Sequence, residues 1–181
     1  MTGYDLQKEF QASVGNVWHA PDSQIYPELR RMEKDGLLAA EEVAWGKRGK
    51  KRRYHITDEG KSAFRQWMND PLEYSRVRDP AHLKAAYLEW AEPEAAREHM
   101  RLHIRHHEAQ LQQWNEKVQE IEKGTSPVLL RRLESIPAER HHRTVEFKKF
   151  TYLGLIRRAE QEIAWAEQGL DLLDEVYPLE P

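Results

Sequence analysis

The sequence predicts a mainly α-helical chain with a small β-hairpin, arranged as an N-terminal winged helix-turn-helix and a C-terminal domain of long dimerisation helices. Three observations predict it. The first 70 residues contain apolar patterns in the order helix, helix, hairpin, helix. A run of basic residues lies in the middle of the hairpin, and the second half carries two long apolar seams with alternating three- and four-residue spacing.

Length and composition restrict the class of protein. The chain has 181 residues, enough for one domain or two small ones, and we place their boundaries at residues 1–70 and 80–181. It contains no cysteine, which excludes disulfides, cysteine-ligated zinc, iron–sulfur clusters and thiol catalysis. No apolar run approaches the roughly 20 residues of a membrane span, and no signal peptide is recognisable. We therefore expect a cytoplasmic protein without membrane contact.

The first two predicted elements are short helices. The first covers residues 3–11, with Thr2 as its N-cap. The second is capped by Asp22 or Ser23, runs to about residue 35 and ends at Gly36. Its inward face is formed by apolar residues one turn apart: Ile25, Leu29 and Met32.

A basic hairpin follows, and then a third helix. Residues 37–45 and 53–56 have strand character, and the stretch 46–53, which joins them and includes the first residue of the second strand, holds six basic residues and no acid. We interpret that segment as an exposed loop, the wing. A helix capped by Thr57 or Asp58 then covers residues 58–69, with an apolar side made of Ala63, Phe64, Trp67 and Met68.

The second half is predicted to be long helices. We expect a helix over 81–91, a second opened by Pro93, a short piece over 128–135 and a last helix over about 138–176. The last helix would be about 57 Å long, too long for one chain of this size to cover, so we predict a homodimer. The residues assigned to dimerisation are Leu111, Trp114, Val118, Ile156, Ile163, Leu170 and Leu173.

Four segments of the first half resemble the PadR family of transcriptional regulators. They are Thr2-Gly3-Tyr4-Asp5-Leu6, Ser23-Gln24-Ile25-Tyr26-Pro27-Glu28-Leu29, Glu33-Lys34-Asp35-Gly36-Leu37 and Arg52-Arg53-Tyr54-His55-Ile56-Thr57-Asp58-Glu59-Gly60. The second half is similar to the long helical extension of the subgroup related to virulence-gene activators. The resemblance implies an apolar helix before the Gly3-Tyr4 segment, and Met1 stands where that helix would end. Either the start is misassigned or truncated, or the protein folds without that helix. Lys50 and Lys51 stand where the family often has prolines.

The expected function is that of a sequence-specific regulator, more a repressor than an activator. It would bind double-stranded DNA as a homodimer, on an inverted-repeat operator. The resemblance also implies release by a small aromatic effector. The recognition helix and the wing supply the predicted DNA contacts, from Ser23, Gln24, Tyr26, Arg30, Arg31, Lys47, Arg48, Lys50, Lys51, Arg52 and Arg53.

Two other functions compete with this prediction. One is a helical interaction or scaffold protein in which the basic loop has no specific DNA partner. The other is a metal-responsive regulator, because His99, His103 and His107 follow one another at one-turn spacing along a predicted helix. In the main prediction, unlike in this alternative, we expect neither a cofactor nor a bound metal. No phosphate-binding loop, nucleophile elbow or HExxH motif is present, so we do not expect an enzyme.

Overall fold

The computed structural model describes residues 1–13, 15, 17, 21–45, 49–74 and 78–178. The chain divides into two compact units, residues 1–75 and 76–181. The predicted domain limits lie within a few residues of this division and remain a prediction. Within the described residues, no helix combines the length and apolar character needed to cross a bilayer.

The first unit has the predicted order of elements. Its elements are α1 (Gly3–Ala12), α2 (Asp22–Lys34), β1 (Leu38–Trp45), β2 (Gly49–Ile56) and α3 (Asp58–Asn69). The strands pair antiparallel, with Leu38 opposite Ile56 and Trp45 opposite Gly49. The other edge of β2 forms a β-bridge between Arg53 and Thr2. The helical chain with a small hairpin is therefore confirmed.

Most helix ends follow the local signals in the sequence. The Thr2 hydroxyl accepts a hydrogen bond from the backbone N–H of Asp5, whose carboxylate accepts one from the backbone N–H of Thr2, forming a capping box. The Thr57 hydroxyl caps α3 by accepting one hydrogen bond from the backbone N–H of Gly60. Gly36, with a φ of 73°, ends α2, and the bonds from Gly36 N to Glu33 O and from Leu37 N to Met32 O complete a Schellman motif.

The predicted cap of α2 is wrong. Asp22 and Ser23 both lie inside the helix, and Pro21 occupies the N-cap position without a side-chain hydrogen bond. Proline adopts the extended backbone of an N-cap readily, because its φ is fixed near −65°. The helix therefore starts one or two residues earlier than a side-chain cap would place it.

The wing loop is shorter than predicted. Strand β2 begins at Gly49, so the basic residues from Lys50 to Arg53 belong to a strand and only residues 46–48 separate the two strands. Pairing with β1 extends the strand because Ala44, Val43 and Glu42 lie opposite Lys50, Lys51 and Arg52. Charge alone does not prevent a residue from joining an edge strand whose side chains face solvent.

The apolar side of α3 is exposed. Phe64, Trp67 and Met68 are all open to solvent in this chain, although they follow a helical period. Phe64 and Trp67 contact each other, with ring centroids 5.8 Å apart. The pattern predicted the helix correctly, but no described residue covers this side.

The second unit consists of helices. They are α4 (Pro80–Ala85), a 3₁₀ turn at Leu88–Trp90, α5 (Pro93–Glu122), α6 (Pro127–Glu134), a 3₁₀ turn at Ala138–Arg140 and α7 (His141–Val176). The predicted helix over 81–91 is wrong, since it stops at Ala85. Glu92, which precedes Pro93, has an extended backbone, as a residue before proline usually does. The last helix also begins later than predicted, at His141.

Helices α5 and α7 pack against each other in antiparallel directions. Arg97 bonds to Asp174 near one end of the pair, and Lys149 bonds to Glu122 near the other. Between these ends, two clusters of buried residues fill the interface. The first includes Trp114, Val118, Tyr152 and Ile156, and the second includes Ala96, Met100, Ala166 and Leu173.

This packing changes the interpretation of the residues assigned to dimerisation. Trp114, Val118, Ile156 and Leu173 are already buried by their own chain. Leu111, Ile163 and Leu170 are half-buried there. The two seams predicted to meet a partner chain meet each other instead, because the break at residues 123–126 turns the chain back on itself. The length of the last helix therefore does not by itself require a partner.

Candidate nucleic-acid interface

Helix α2 presents one apolar and one polar face. Leu29 is buried, and Ile25 and Met32 are half-buried, so the predicted inward face is confirmed. Gln24, Glu28 and Arg31 follow at one-turn spacing on another side and are exposed. Ser23 is also exposed, in the first turn, where backbone N–H groups lack helical partners. The N-terminal part of α2 therefore offers hydrogen-bonding side chains to an outside partner.

Tyr26 is a packing residue as well as a surface residue. A Cβ on Gly3 would lie only 2.6 Å from Cε1 of the Tyr26 ring, so the ring sits directly against the start of α1. The rest of the ring stays exposed. This contact fixes α2 against α1, and it depends on glycine at position 3.

A cleft brings α2 next to the wing strand. Arg30 of α2 and Lys51 and Arg52 of β2 line the same concavity of about 250 Å³, together with Tyr26 and Tyr54. Lys51 lies 5.5 Å from the centre of the Tyr4 ring, and the Arg52 guanidinium lies 5.9 Å from that of Tyr54. The folded chain therefore places cations from two separate elements around one opening.

Four of the six described cations of the predicted interface are held by acidic neighbours. Arg31 bonds Glu28 through Nε and Oε2 at 3.0 Å, and Arg52 pairs with Glu33 of α2. Across the hairpin, Lys50 Nζ lies 2.6 Å from Glu42 Oε2, and Arg53 Nη1 lies 3.4 Å from Glu41 Oε1. Arg30 has no such ion pair among the described residues. The sequence count of six basic residues and no acid therefore overstates the charge of the wing.

These pairs shift the acids and bases in the expected directions. The hydrogen bond from Lys50 holds the pKa of Glu42 below its usual value, and the same bond raises the pKa of Lys50. The hydrogen bond to His55 is the largest cause that lowers the pKa of Glu41. All these groups are exposed, where ion pairs exchange easily with solvent ions or another anion.

These acidic partners were not predicted, although the sequence contains the signal to find them. Once Trp45 is placed opposite Gly49, an antiparallel register places Glu42 opposite Arg52 and Glu41 opposite Arg53. Two predicted contacts, Lys47 and Arg48, lie outside the described residues. The structure thus brings together Arg30, Lys51 and Arg52, and it places Ser23 and Gln24 on the exposed part of α2.

Two family models match the chain. The Transcriptional regulator PadR-like family matches residues 1–66, and the Virulence activator alpha C-term family matches residues 77–174. Together they cover both structural units in the order of the chain.

Known proteins show the same similarity along the whole length. The Negative transcriptional regulator PadR of Bacillus subtilis is 25% identical over 179 residues, which are 96% of this chain and 90% of that protein. The crystal structure of B. subtilis PadR in complex with operator DNA has a TM-score of 0.74 at 23% identity, covering 96% of this chain and 90% of that one. The same protein in complex with p-coumaric acid has a TM-score of 0.69 at 23% identity, with the same coverage. With both halves matched, the chain belongs to the PadR-like family of transcriptional regulators, in the group that carries a virulence activator alpha C-terminal domain.

Proposed function

We propose that the protein binds DNA sequence-specifically, with α2 in the major groove and the β1–β2 hairpin on the flanking backbone. The observation that carries this proposal is the cleft in which Arg30 of α2 and Lys51 and Arg52 of β2 face one opening. A helix that reads bases needs a neighbouring element that holds phosphates and fixes its orientation. Gln24, exposed near the start of α2, has the amide geometry that pairs with adenine.

The ion pairs of the hairpin fit this role. Arg52 and Lys50 are kept in place by Glu33 and Glu42 in the free protein. A DNA phosphate replaces these exposed carboxylates at little cost, because surface ion pairs add little net stability. The acids then repel DNA that binds in the wrong register, which favours specific over non-specific binding.

The protein acts as a homodimer on an inverted repeat. Phe147 and Phe150 of α7 and Leu172 near its end are exposed, which is unusual for large apolar side chains on a helix that is otherwise packed. The chain exposes 14262 Å². Two separate compact units of these sizes would expose roughly 11,000 Å². The chain therefore exposes more surface than two compact units would, which supports the burial of part of it against a second copy.

Sedimentation should show a dimer that the double variant Phe147→Asp, Phe150→Asp converts to a monomer, while Arg157→Asp on the same helix leaves the dimer intact.

Binding of a small aromatic molecule releases the protein from DNA, so that it acts as a repressor. The second unit contains a mostly apolar groove of about 590 Å³, lined by Leu88, Met100, Trp165, Leu172 and Val176 among others. This volume suits a small ligand. The B. subtilis relative, named a negative regulator, was solved with p-coumaric acid, and we use that acid as the probe.

Fluorescence anisotropy tests the DNA proposal on two fragments, the region upstream of the protein's own gene and a shuffled control. We expect preference for the first fragment, with affinity falling steeply as salt increases. Arg30→Ala should weaken binding to both fragments and reduce the salt slope by about one. Gln24→Ala should instead reduce the preference between fragments, and Arg158→Ala, an exposed arginine of α7, should change neither.

The outcomes separate the alternatives. Equal and salt-sensitive binding to both fragments contradicts specific recognition of that region. Absence of binding at low salt favours a scaffold protein over a regulator.

The effector proposal is tested by adding p-coumaric acid to the same DNA-binding measurement. The acid should weaken DNA binding, Trp165→Ala should abolish this response, and Trp90→Ala should preserve it. An unchanged DNA affinity in the presence of the acid contradicts the proposed release.

A further inference from the structure

Three side chains of the second unit converge between α5 and α7. His103 and His107 are one turn apart on α5, and Glu162 faces them from α7. Each offers one nitrogen or oxygen atom, and these three atoms all lie within 4.8 Å of one another. The sequence indicated a stripe of His99, His103 and His107. In the structure the third member of the group is Glu162 rather than His99. Glu162 is 59 residues from His103 along the chain, so helical spacing could not predict that the two side chains meet.

We propose that His103, His107 and Glu162 form a binding site for one divalent transition-metal ion, with Zn²⁺ the best match. Two imidazoles and a carboxylate are a donor set that suits zinc, copper, nickel or iron better than calcium or magnesium, which prefer oxygen ligands alone. Three protein ligands leave a fourth position for water or for an outside ligand. The site is independent of the DNA-binding proposal.

The distances are close to those that a bound ion requires. Nε2 of His103 lies 3.2 Å from Oε2 of Glu162. In a tetrahedral zinc site with bonds of about 2.0–2.1 Å, neighbouring ligand atoms are about 3.3 Å apart. The three ligand atoms lie within 4.8 Å of one another, so side-chain rotations that shorten each separation by roughly 1.5 Å at most would bring them around one ion. The hydrogen bond between His103 and Glu162 would be exchanged for two bonds to the metal.

The surroundings of the three residues also favour a cation. The side chains of His103 and Glu162 are only 15% and 18% exposed, so water competes weakly for them. The Nδ1 atom of His107 is buried and has no hydrogen-bond partner among the described residues, which is costly unless something occupies it. A metal binds the neutral form of an imidazole ring.

The ring of Trp165 gives the site a rigid wall. It meets His103 edge-on at 5.3 Å and stacks on His82 at 4.1 Å, measured between ring centroids. Trp165 also lines the groove described above. A bound ion would therefore fix a wall of that groove.

Calorimetric titration of the metal-free protein with Zn²⁺ tests the site, and Co²⁺ absorption reports the ligand geometry. We expect one ion per chain. His103→Gln, His107→Gln and Glu162→Gln should each weaken binding at least about tenfold, since even partners outside the first ligand shell cost that much. The matched control is His99→Gln, one turn away on the same helix, which should bind as the parent does.

A second measurement avoids the question of whether a variant folds. In ¹⁵N-correlated NMR spectra of the unmodified protein, Zn²⁺ should shift the ring nitrogens of His103 and His107, and leave those of His99 unchanged. Absence of zinc binding overturns the proposal. Binding that all three variants retain in full, or ring shifts confined to other histidines, also overturns it, because the ion is then held elsewhere.

Discussion

The two units of this chain are held together in different ways. Among the described residues of the first unit, only two apolar side chains, Leu29 and Tyr54, are buried. The second unit buries two clusters of side chains between α5 and α7. The first unit relies instead on caps, on the hairpin and on the close approach of the Tyr26 ring to Gly3 and of the Leu37 carbonyl to Gly60.

This difference separates secondary structure from burial. Helix α3 forms because Thr57 caps it and its sequence favours a helix, although its apolar side has no cover among the described residues. The apolar seams of helices α5 and α7 pack against each other. Amphipathic spacing therefore predicts that a helix exists, and only a partner surface decides whether its apolar side contributes packing energy.

The largest expected effect comes from a pair of tryptophans, one in each unit. Trp114 is 7% exposed within the first cluster, and Trp67 of α3 is 66% exposed. Trp114→Ala should lower the free energy of unfolding of the second unit by about 3–5 kcal/mol, because it leaves a cavity in packed surroundings. Trp67→Ala should change stability by less than about 0.5 kcal/mol. Urea unfolding followed by circular dichroism measures both, and equal losses would contradict the difference between the units.

A pair of glycines tests the backbone contacts of the first unit. A Cβ on Gly60 would lie 2.2 Å from the carbonyl oxygen of Leu37, which also accepts bonds from Thr57. Gly60→Ala should cost about 3 kcal/mol, since backbone must move to make room. Gly154 of α7 has nothing within 4 Å of such an atom, so Gly154→Ala should stabilise by about 0.5–1 kcal/mol. If Gly60→Ala unfolds at the parent's urea midpoint, the close contact with the Leu37 carbonyl does not contribute to the stability of the first unit.

Local sequence signals predicted most of the fold. The N-cap at Thr2, the cap at Thr57 (one of the two residues predicted for it) and the stop at Gly36 depend on neighbouring residues, and each lies where the sequence indicated. The start of α2 differed because a proline at the N-cap gives no side-chain signal. The end of α4 differed because the apolar spacing continues past Ala85, where the chain leaves the helix before the 3₁₀ turn at Leu88–Trp90.

Contacts between distant segments were less predictable. The pairing of the α5 seam with the α7 seam satisfies the same periodicity as pairing with a second chain, so the sequence could not distinguish them. The approach of Glu162 to His103 follows from that pairing. In the candidate interface, helical spacing was enough to predict the inward face of α2, but the acids that hold the wing cations could be found only from the strand register.

A buried arginine tests how the ends of the helical pair are joined. Arg97 is 4% exposed; its guanidinium donates to the Asp174 carboxylate and to the carbonyl oxygens of Leu173 and Tyr177. Arg97→Met keeps much of the apolar volume and leaves the Tyr177 carbonyl without the arginine donor, whereas the Leu173 carbonyl keeps the backbone N–H of Tyr177. The loss should cost about 2 kcal/mol. The matched control is Arg101→Met, an exposed arginine of the same helix that pairs with Glu94 and should matter little. Similar losses for both would show that burial of Arg97 adds nothing.

The smallest effect is the acid dependence of the cap of α1. Hydrogen bonds from the hydroxyl and backbone N–H of Thr2 lower the pKa of Asp5 below its ordinary value of 3.8. A carboxyl with a lower pKa in the folded state stabilises the protein above its unfolded value, and this contribution is lost as the pH falls through the folded value. The difference in unfolding free energy between the parent and Asp5→Asn should therefore be constant near neutral pH and shrink below about pH 4. Asp171→Asn, an exposed change in α7, serves as the control, and a difference that stays constant down to pH 2 would show that the Asp5 charge does not support the cap.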